Sequence, residues 1–278
     1  MNTNRLQTIL SCMPSDNEIQ QIQTEHRLKL AEFWGIEKGK RVLEIGCGQG
    51  DTTVVLAYLV GEDGLVHGVD IGSASYGAPI TLGDSASYIM KSALGKQIKM
   101  EFEVDILSTE IDFPDHSFDY IVLSHCSWYF SSAVQLEKIF QKIRKWGKQL
   151  CFAEWDTRIQ SLNQYPHLLS ILIQAQYEAF KQQSEANVRT LFTPNDIQSL
   201  LESSGWKTIK EQSIVSPKLQ DGEWEISYTL KEIDTMFENS IGMPEKLKLL
   251  IKSEINILKE FIQTNNREPL SIFAFVAE

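Results

Sequence analysis

The stretch Val42-Leu43-Glu44-Ile45-Gly46-Cys47-Gly48-Gln49-Gly50 constrains this chain more than any other feature. Residues 41–46 form a short apolar run that predicts a buried strand. Three glycines on alternate positions follow, and residues 51–60 continue as an apolar helix stopped by Gly61. Glycine has no Cβ, so the main chain can turn sharply and approach a ligand closely. The helix start beyond the loop offers free N–H groups. Such a loop at the carboxyl end of a parallel strand is a nucleotide or cofactor site.

The rest of the first half keeps the same rhythm. Strands are expected at 65–71, 99–106, 118–126 and 149–156, with a helix over 132–146 and a long Gly/Ser-rich loop over 72–85. A helix over 15–34 is expected to start in a capping box of Ser15 and Glu18. Near-continuous apolar strands alternating with helices imply a parallel sheet covered on both faces. After residue 156 the rhythm breaks. A helical stretch is expected from Tyr165 to Ala186, then a helix started by Thr193 and Pro194, a strand over 206–215 and helix again over 222–264. The apolar segment Pro269–Glu278 reads as a strand returning to the sheet. At 278 residues the chain is long for one domain, against about 150 residues per domain. We divide it into an N-terminal helical cap segment (1–40), a cofactor-binding α/β core (41–156) and an inserted helical lid (157–192). A core helix with strand six (193–216), a second inserted helical lid (217–268) and the last core strand (269–278) complete it.

Composition removes several classes of function. With 42% apolar residues the chain can bury a core and is not disordered. Its 26 Lys+Arg against 37 Asp+Glu leave a net charge of −11, which disfavours nucleic acid as a partner. The densest basic cluster, Lys138 to Lys148, lies at helical spacing opposite apolar residues and reads as a solvated helix face. Four cysteines without a CxxC, and five histidines without an HxxxH, predict no metal site. No apolar run approaches the ~20 residues of a membrane span. Unpaired thiols and an N-terminus unlike a signal peptide predict a cytoplasmic protein.

Three cofactors compete for the glycine loop. A phosphate loop needs Gly-Lys followed by Ser or Thr, which this sequence lacks. A dinucleotide loop needs Gly-x-Gly-x-x-Gly or Ala, but position 51 is Asp, and a carboxylate there would face a pyrophosphate. S-adenosylmethionine has no phosphate and carries a sulfonium and an ammonium, which carboxylates such as Glu44 favour. Asp70 closes the second expected strand, where a carboxylate can accept from ribose hydroxyls. Asp105 closes the third and can accept from an adenine amino group. Taken one at a time, each acid is equally readable as a cap or turn residue. Together, acids at three successive strand ends converge on one sheet edge.

VLEIGCGQG, GVDI, EVDIL and FPDHSFDYIVLSH resemble motifs I to IV of the class I S-adenosylmethionine-dependent methyltransferases, of small-molecule type. The resemblance covers about residues 40–156 and resumes weakly at FTPNDIQSLLESSGW. It implies a doubly wound, Rossmann-like, seven-stranded and mostly parallel sheet of order 3-2-1-4-5-7-6, strand seven antiparallel, here under a helical cap. It also implies that Glu44, Gly46, Cys47, Gly48 and Gly50 face the methionyl and ribose parts of S-adenosylmethionine. Asp70 and Ile71 would flank the ribose and adenine, Asp105 and Ile106 would hold the adenine, and Ser124 would stand at the active-site edge. The product would be S-adenosylhomocysteine. The segment 72–98 is longer than the family's usual one.

Methyl transfer needs alignment and exclusion of water, and a base only where the acceptor must lose a proton. The candidate base is His125, at the end of strand four, with an ordinary pKa of about 6.5 suited to proton transfer. The alternative is that His125 only bonds a loop or touches the cofactor. Trp128 and Tyr129 are candidate acceptor walls, and Glu154 and Asp156 candidate acceptor contacts at the end of strand five. His26 reads as a core or interface histidine, and Arg189 as a surface ion-pair residue. The apolar helices would form a lid over a small-molecule acceptor, or part of that surface would be a homodimer contact. The expected function is methyl transfer from S-adenosylmethionine to a small molecule. The rivals are a non-catalytic domain that only binds S-adenosylmethionine and an NAD-dependent oxidoreductase.

Overall fold

Alternate residues along each strand enter opposite faces of one sheet, as the two-residue strand period requires. The computed structural model describes residues 3–181, 184 and 186–278. In chain order it contains α1 (Thr3–Leu10), α2 (Glu18–Trp34), β1 (Arg41–Ile45), α3 (Asp51–Val60), β2 (Leu65–Val69), α4 (Leu82–Lys91), β3 (Ile98–Glu101) and β4 (Phe118–Ser124). Then come α5 (Ala133–Ile143), β5 (Gly147–Trp155), α6 (Tyr165–Glu178), α7 (Pro194–Ser203), β6 (Thr208–Ile214), α8 (Asp221–Asn239), α9 (Glu245–Thr264) and β7 (Ile272–Ala277). The strands form one seven-stranded sheet of order β3-β2-β1-β4-β5-β7-β6. β7 runs antiparallel to both β5 and β6, and the other pairs are parallel.

The two faces carry separate cores. Val42, Val122, Cys151, Ala153 and Ala274 pack on one face with Leu28 and Leu30 of α2, Val54 and Leu56 of α3, and Ile89 of α4. Leu43, Ile121, Leu123, Phe152 and Phe275 pack on the other with Ile139 and Phe140 of α5 and Leu201 of α7. β7 is buried along all six residues, which explains its unbroken apolar sequence. α6, α8 and α9 share a third core, which brings together Leu169, Ile173, Tyr177, Met236, Ile251, Ile255 and Leu258.

Several element boundaries differ from expectation. The N-cap of α2 is Asn17, whose Oδ1 accepts the Gln20 N–H at 2.9 Å, so Ser15 and Glu18 form no capping box. α1 lacked a signal strong enough to predict it. The segment after β2 is only partly loop, because Thr81 caps α4 by accepting the Asp84 N–H at 3.1 Å. β3 ends at Glu101, whose carbonyl takes the Asp70 N–H at 3.0 Å, and Glu103 then turns the chain at φ 59°. The stretch 222–264 is two helices, interrupted where Gly242 adopts φ 78° and Pro244 starts α9. α6 stops at Glu178, and residues 182, 183 and 185 of the expected longer helix lie outside the described residues. No helix among the described residues is long and apolar enough to cross a membrane.

Candidate active site

The glycine loop is tied to the end of β2 rather than standing free. Gly46 and Cys47 both donate to the Val69 carbonyl, at 2.9 and 3.1 Å. One Asp70 oxygen accepts the Gly48 N–H at 2.8 Å and the other accepts the Gly72 N–H at 2.7 Å. Asp70 therefore stitches the loop after β1 to the loop after β2. Gly46 and Gly48 adopt φ of 75° and 52°, the left-handed region. A Cβ on Gly48 would meet nothing within 4 Å, so the loop surface there is open.

Glu44 lies under this loop and is 2% exposed. The Thr53 hydroxyl donates to it at 2.5 Å. Burial lifts its carboxyl from 4.5 to about 8, partly opposed by the Thr53 bond and the charge of Arg27. Between those two values the unfolded chain ionises while the folded chain keeps its proton, so stability falls as pH rises. Glu44→Gln keeps a neutral acceptor for Thr53. It is expected to match the wild type near pH 4.5 and to exceed it in the free protein above pH 8. The gain should be on the order of 2 kcal/mol once water entry and relaxation are allowed for. Urea midpoints across that range measure it, and a pH-independent difference would remove the buried carboxyl as the cause.

The third acid does not join the other two. Asp105 is exposed, and its Oδ1 caps its own turn by accepting the Leu107 N–H at 2.8 Å. It is not at a strand end, because β3 stops four residues earlier. Its segment still passes the site, since the Val104 N–H bonds the Asp70 carbonyl at 2.9 Å. Ile106 is buried in the core with Ile45 and Val69, whereas Ile71 is 66% exposed at the rim.

Beyond the ends of β4 and β5 lies a cavity of about 200 Å³. His125, Trp128 and Tyr129 line it after β4, and Glu154 and Trp155 at the end of β5. α2 contributes Gln23, His26 and Arg27; α8 contributes Asp221, Trp224 and Glu225; Asn187 completes the wall. His125 takes φ 53°, and its N–H bonds the Ala153 carbonyl at 2.8 Å. Its ring Nδ1 is 3.0 Å from Ser124 Oγ. Burial, then the charge of Arg27, pushes its imidazole down to about 3, so the ordinary value of 6.5 does not apply. Burial and then His125 lower His26 as well. Its Nδ1 is 2.9 Å from Ser216 Oγ, and its ring lies 5.5 Å from that of His125. Glu154 accepts the Ser127 N–H and hydroxyl at 3.1 and 2.7 Å and the Trp155 N–H at 3.0 Å. Burial still lifts it to about 7.

Of the expected acceptor contacts, Trp128, Tyr129 and Glu154 line the cavity and Asp156 does not. Asp156 is 1% exposed, with its carboxylate taken by Arg158 through three bonds of 2.9 Å each. That clamp spends both of its oxygens on the turn after β5. Arg189 lies against the Tyr129 ring, 5.7 Å from its centroid, and lines no part of the cavity. His26, read from sequence as a core or interface residue, is buried and is also part of the wall. Arg27 was not anticipated at all. It is 3.4 Å from Asp51, at the helix start beyond the glycine loop, and Gln20 donates to the same carboxylate at 2.9 Å. The polar spacing within α2 could have flagged these residues, but not which face meets the site. Among the described residues no group of three His, Cys, Asp or Glu side chains is placed to hold a metal ion.

A family model described as a methyltransferase domain matches residues 36–205, more than half of the chain. A crystal structure described as a cyclopropane-fatty-acyl-phospholipid synthase-like protein from Lactobacillus casei is 32% identical. It superposes with a TM-score of 0.88 over 99% of this chain and 98% of that one. Methyltransferase phomM of Diaporthe leptostromiformis is 29% identical over 119 residues, 37% of this chain and 31% of that protein. Demethylmenaquinone methyltransferase of Geobacillus stearothermophilus is 30% identical over 88 residues, 32% of this chain and 33% of that protein. The similarity thus spans about a third of the length of these curated relatives.

Proposed function

The chain belongs to the methyltransferase-domain family, of the class I S-adenosylmethionine-dependent type, and from that premise we propose that it methylates a small molecule seated in the His125 cavity. The observation that carries the reading is the Asp70 stitch between the glycine loop, open at Gly48, and the loop after β2, beside buried Glu44. The donor set fits S-adenosylmethionine. Glu44 would offer a buried carboxyl to its cationic methionyl end, Gly46, Cys47, Gly48 and Gly50 a loop that is open at Gly48, and Asp70 with Ile71 a ribose edge. Asp105 and Ile106 would flank the adenine, and Ser124 would stand at the active-site edge beside His125. When bound, the cofactor supplies an electrophilic methyl carbon on a sulfonium.

The chain's own residues then align the acceptor and exclude water. Trp128, Tyr129 and Trp155 give apolar walls, and Glu154 fixes the loop after β4 through Ser127. The small volume suits a metabolite rather than a macromolecule, and the name of the demethylmenaquinone relative agrees with that class. All four cysteines are free thiols, which fits a reducing compartment such as the cytoplasm.

Calorimetry against S-adenosylhomocysteine and NADH, followed by incubation with methyl-labelled donor and a metabolite extract, tests the assignment. Saturable S-adenosylhomocysteine binding with label transferred to a small molecule is the expected result. Binding of NADH alone would overturn it, and binding without transfer would leave a non-catalytic domain. His125→Ala is expected to lower transfer more than donor affinity. Equal transfer by the variant would remove His125 from the chemistry.

A further inference from the structure

Four nitrogens of the cavity residues lack a hydrogen-bond partner among the described residues: His26 Nε2, His125 Nε2, Trp128 Nε1 and Trp155 Nε1, the last lying toward the Asp221 carboxyl and so set aside from the other three. All four atoms are buried, and burying a polar nitrogen without a partner is unfavourable. His26 and Trp128 are only 3% and 1% exposed as whole residues. The two histidines come from α2 and from the loop after β4, 99 positions apart in sequence (125 − 26), yet their rings lie 5.5 Å apart. Each ring already uses Nδ1 on a serine hydroxyl, Ser216 or Ser124. Nε2 is therefore the one ring nitrogen that each leaves unpartnered.

We propose that His26 and His125 together grip a hydroxyl of the acceptor, with Trp128 as a third contact, so that this enzyme methylates oxygen. The inference rests on the methyltransferase reading above and adds the acceptor's chemistry to it. An indole N–H only donates, while an imidazole nitrogen donates or accepts according to its tautomer. With one imidazole protonated on Nε2 and the other on Nδ1, the set calls for one group that accepts from Trp128 and from one imidazole and donates to the other. A hydroxyl has two lone pairs and one hydrogen and meets that need. An ammonium accepts nothing, and an ether or carboxylate donates nothing. The cavity carboxylates do not redirect the choice to a cation, because they are already bonded. Ser127 and Trp155 hold Glu154, Gln174 and Asn187 hold Glu225, and Gln23 holds Asp221. The positive charge of Arg27 also faces both imidazoles, which disfavours a second cation beside them.

In the transfer, the hydroxyl oxygen gives up its bond from Trp128, and the lone pair so released forms the new C–O bond. The C–S bond breaks with its electron pair going to sulfur, leaving a neutral thioether. The O–H proton passes to an imidazole Nε2 and from there to water. Charge balances, because the positive charge leaving sulfur departs as that proton.

The test uses the full-length protein with ¹⁵N-labelled histidine, with and without saturating S-adenosylhomocysteine. The probes are phenol, its methyl ether anisole, and benzylamine. Phenol is expected to move the Nε2 resonances of both His26 and His125, assigned by H26N and H125N. Anisole and benzylamine should bind at least about tenfold more weakly. His26→Phe should weaken phenol by at least about tenfold while S-adenosylhomocysteine affinity stays within about twofold, which also reports that the variant folds. If H26F is unfolded, H26N provides the same comparison. The proposal is overturned if millimolar phenol moves neither imidazole or only one, if anisole binds as well as phenol, or if benzylamine binds better. Failure of the underlying reading is distinct, because it appears as absent S-adenosylhomocysteine binding before any probe is added.

Discussion

Asp70→Ala is expected to weaken S-adenosylhomocysteine binding by about 1.5–3 kcal/mol, the range for hydrogen bonds to a charged group. That is roughly a ten- to hundredfold rise in Kd. In the free protein the carboxylate accepts the N–H groups of Gly48 and Gly72, and both bonds vanish in the variant. Those loops border the place where the ribose would sit, so the variant loses a ligand contact and the order of the surrounding backbone together. Asp70→Asn separates the two. Its one carbonyl oxygen can keep either loop, while its NH2 group turns a donor toward the other, so its affinity should fall between wild type and Asp70→Ala. Calorimetry reads the affinity and a thermal melt the loop order. Unchanged affinity in Asp70→Ala would take the residue out of the cofactor site.

The sheet was readable because strand burial writes itself into the sequence. β1, β4, β5 and β7 are buried on both faces and appear as apolar runs, and their flanking glycines and acids mark the loops. α7 was readable from its own ends, since Thr193 and Asp196 form a reciprocal cap and Gly205 closes it at φ 78°. The errors lie where a local pattern had two solutions. Ser15 and Asn17 are both good caps, and the helix chose the one nearer Glu18. Residues 102–106 continue the alternation of β3, but no neighbouring strand extends that far, and Glu103 turns instead.

The site was half legible for a related reason. Residues at strand ends are placed by the sheet, so Glu44, Asp70, His125 and Glu154 could be put on one edge from their position alone. His26, Arg27 and Asp221 reach that edge from α2 and α8, whose orientation is set by packing against distant segments. A helix pattern says which face is apolar but not what the polar face meets. His26 shows the limit, since it lies among the buried residues of α2 and still opens onto the cavity. Asp156 fails in the opposite direction. It stands at a strand end, but Arg158 two residues later consumes its carboxylate.

Alanine at Gly46 and alanine at Gly48 are expected to fail in different ways. Both positions have positive φ, so any side chain costs about 1–2 kcal/mol in backbone strain. At Gly46 the new Cβ would stand 2.8 Å from Cys126 Cβ and 3.2 Å from its Sγ. Cys126 is buried, and its thiol points to the Ile45 carbonyl at 3.4 Å, so it cannot swing aside without disturbing the join of β1 and β4. Overpacking of that kind adds about 1–3 kcal/mol. Gly46→Ala should therefore lose roughly 2–5 kcal/mol, a large part of the 5–15 kcal/mol that holds a typical domain folded. At Gly48 the Cβ meets nothing within 4 Å, so only the backbone term remains and the fold should survive. The added methyl group projects over the open loop surface, where the cofactor is proposed to lie. Gly48→Ala should accordingly keep most of its denaturation midpoint and lose S-adenosylhomocysteine affinity, whereas Gly46→Ala loses the midpoint first. A Gly48→Ala protein that binds S-adenosylhomocysteine as tightly as wild type would show that the ligand does not rest on this loop, and the cofactor assignment would fall with it.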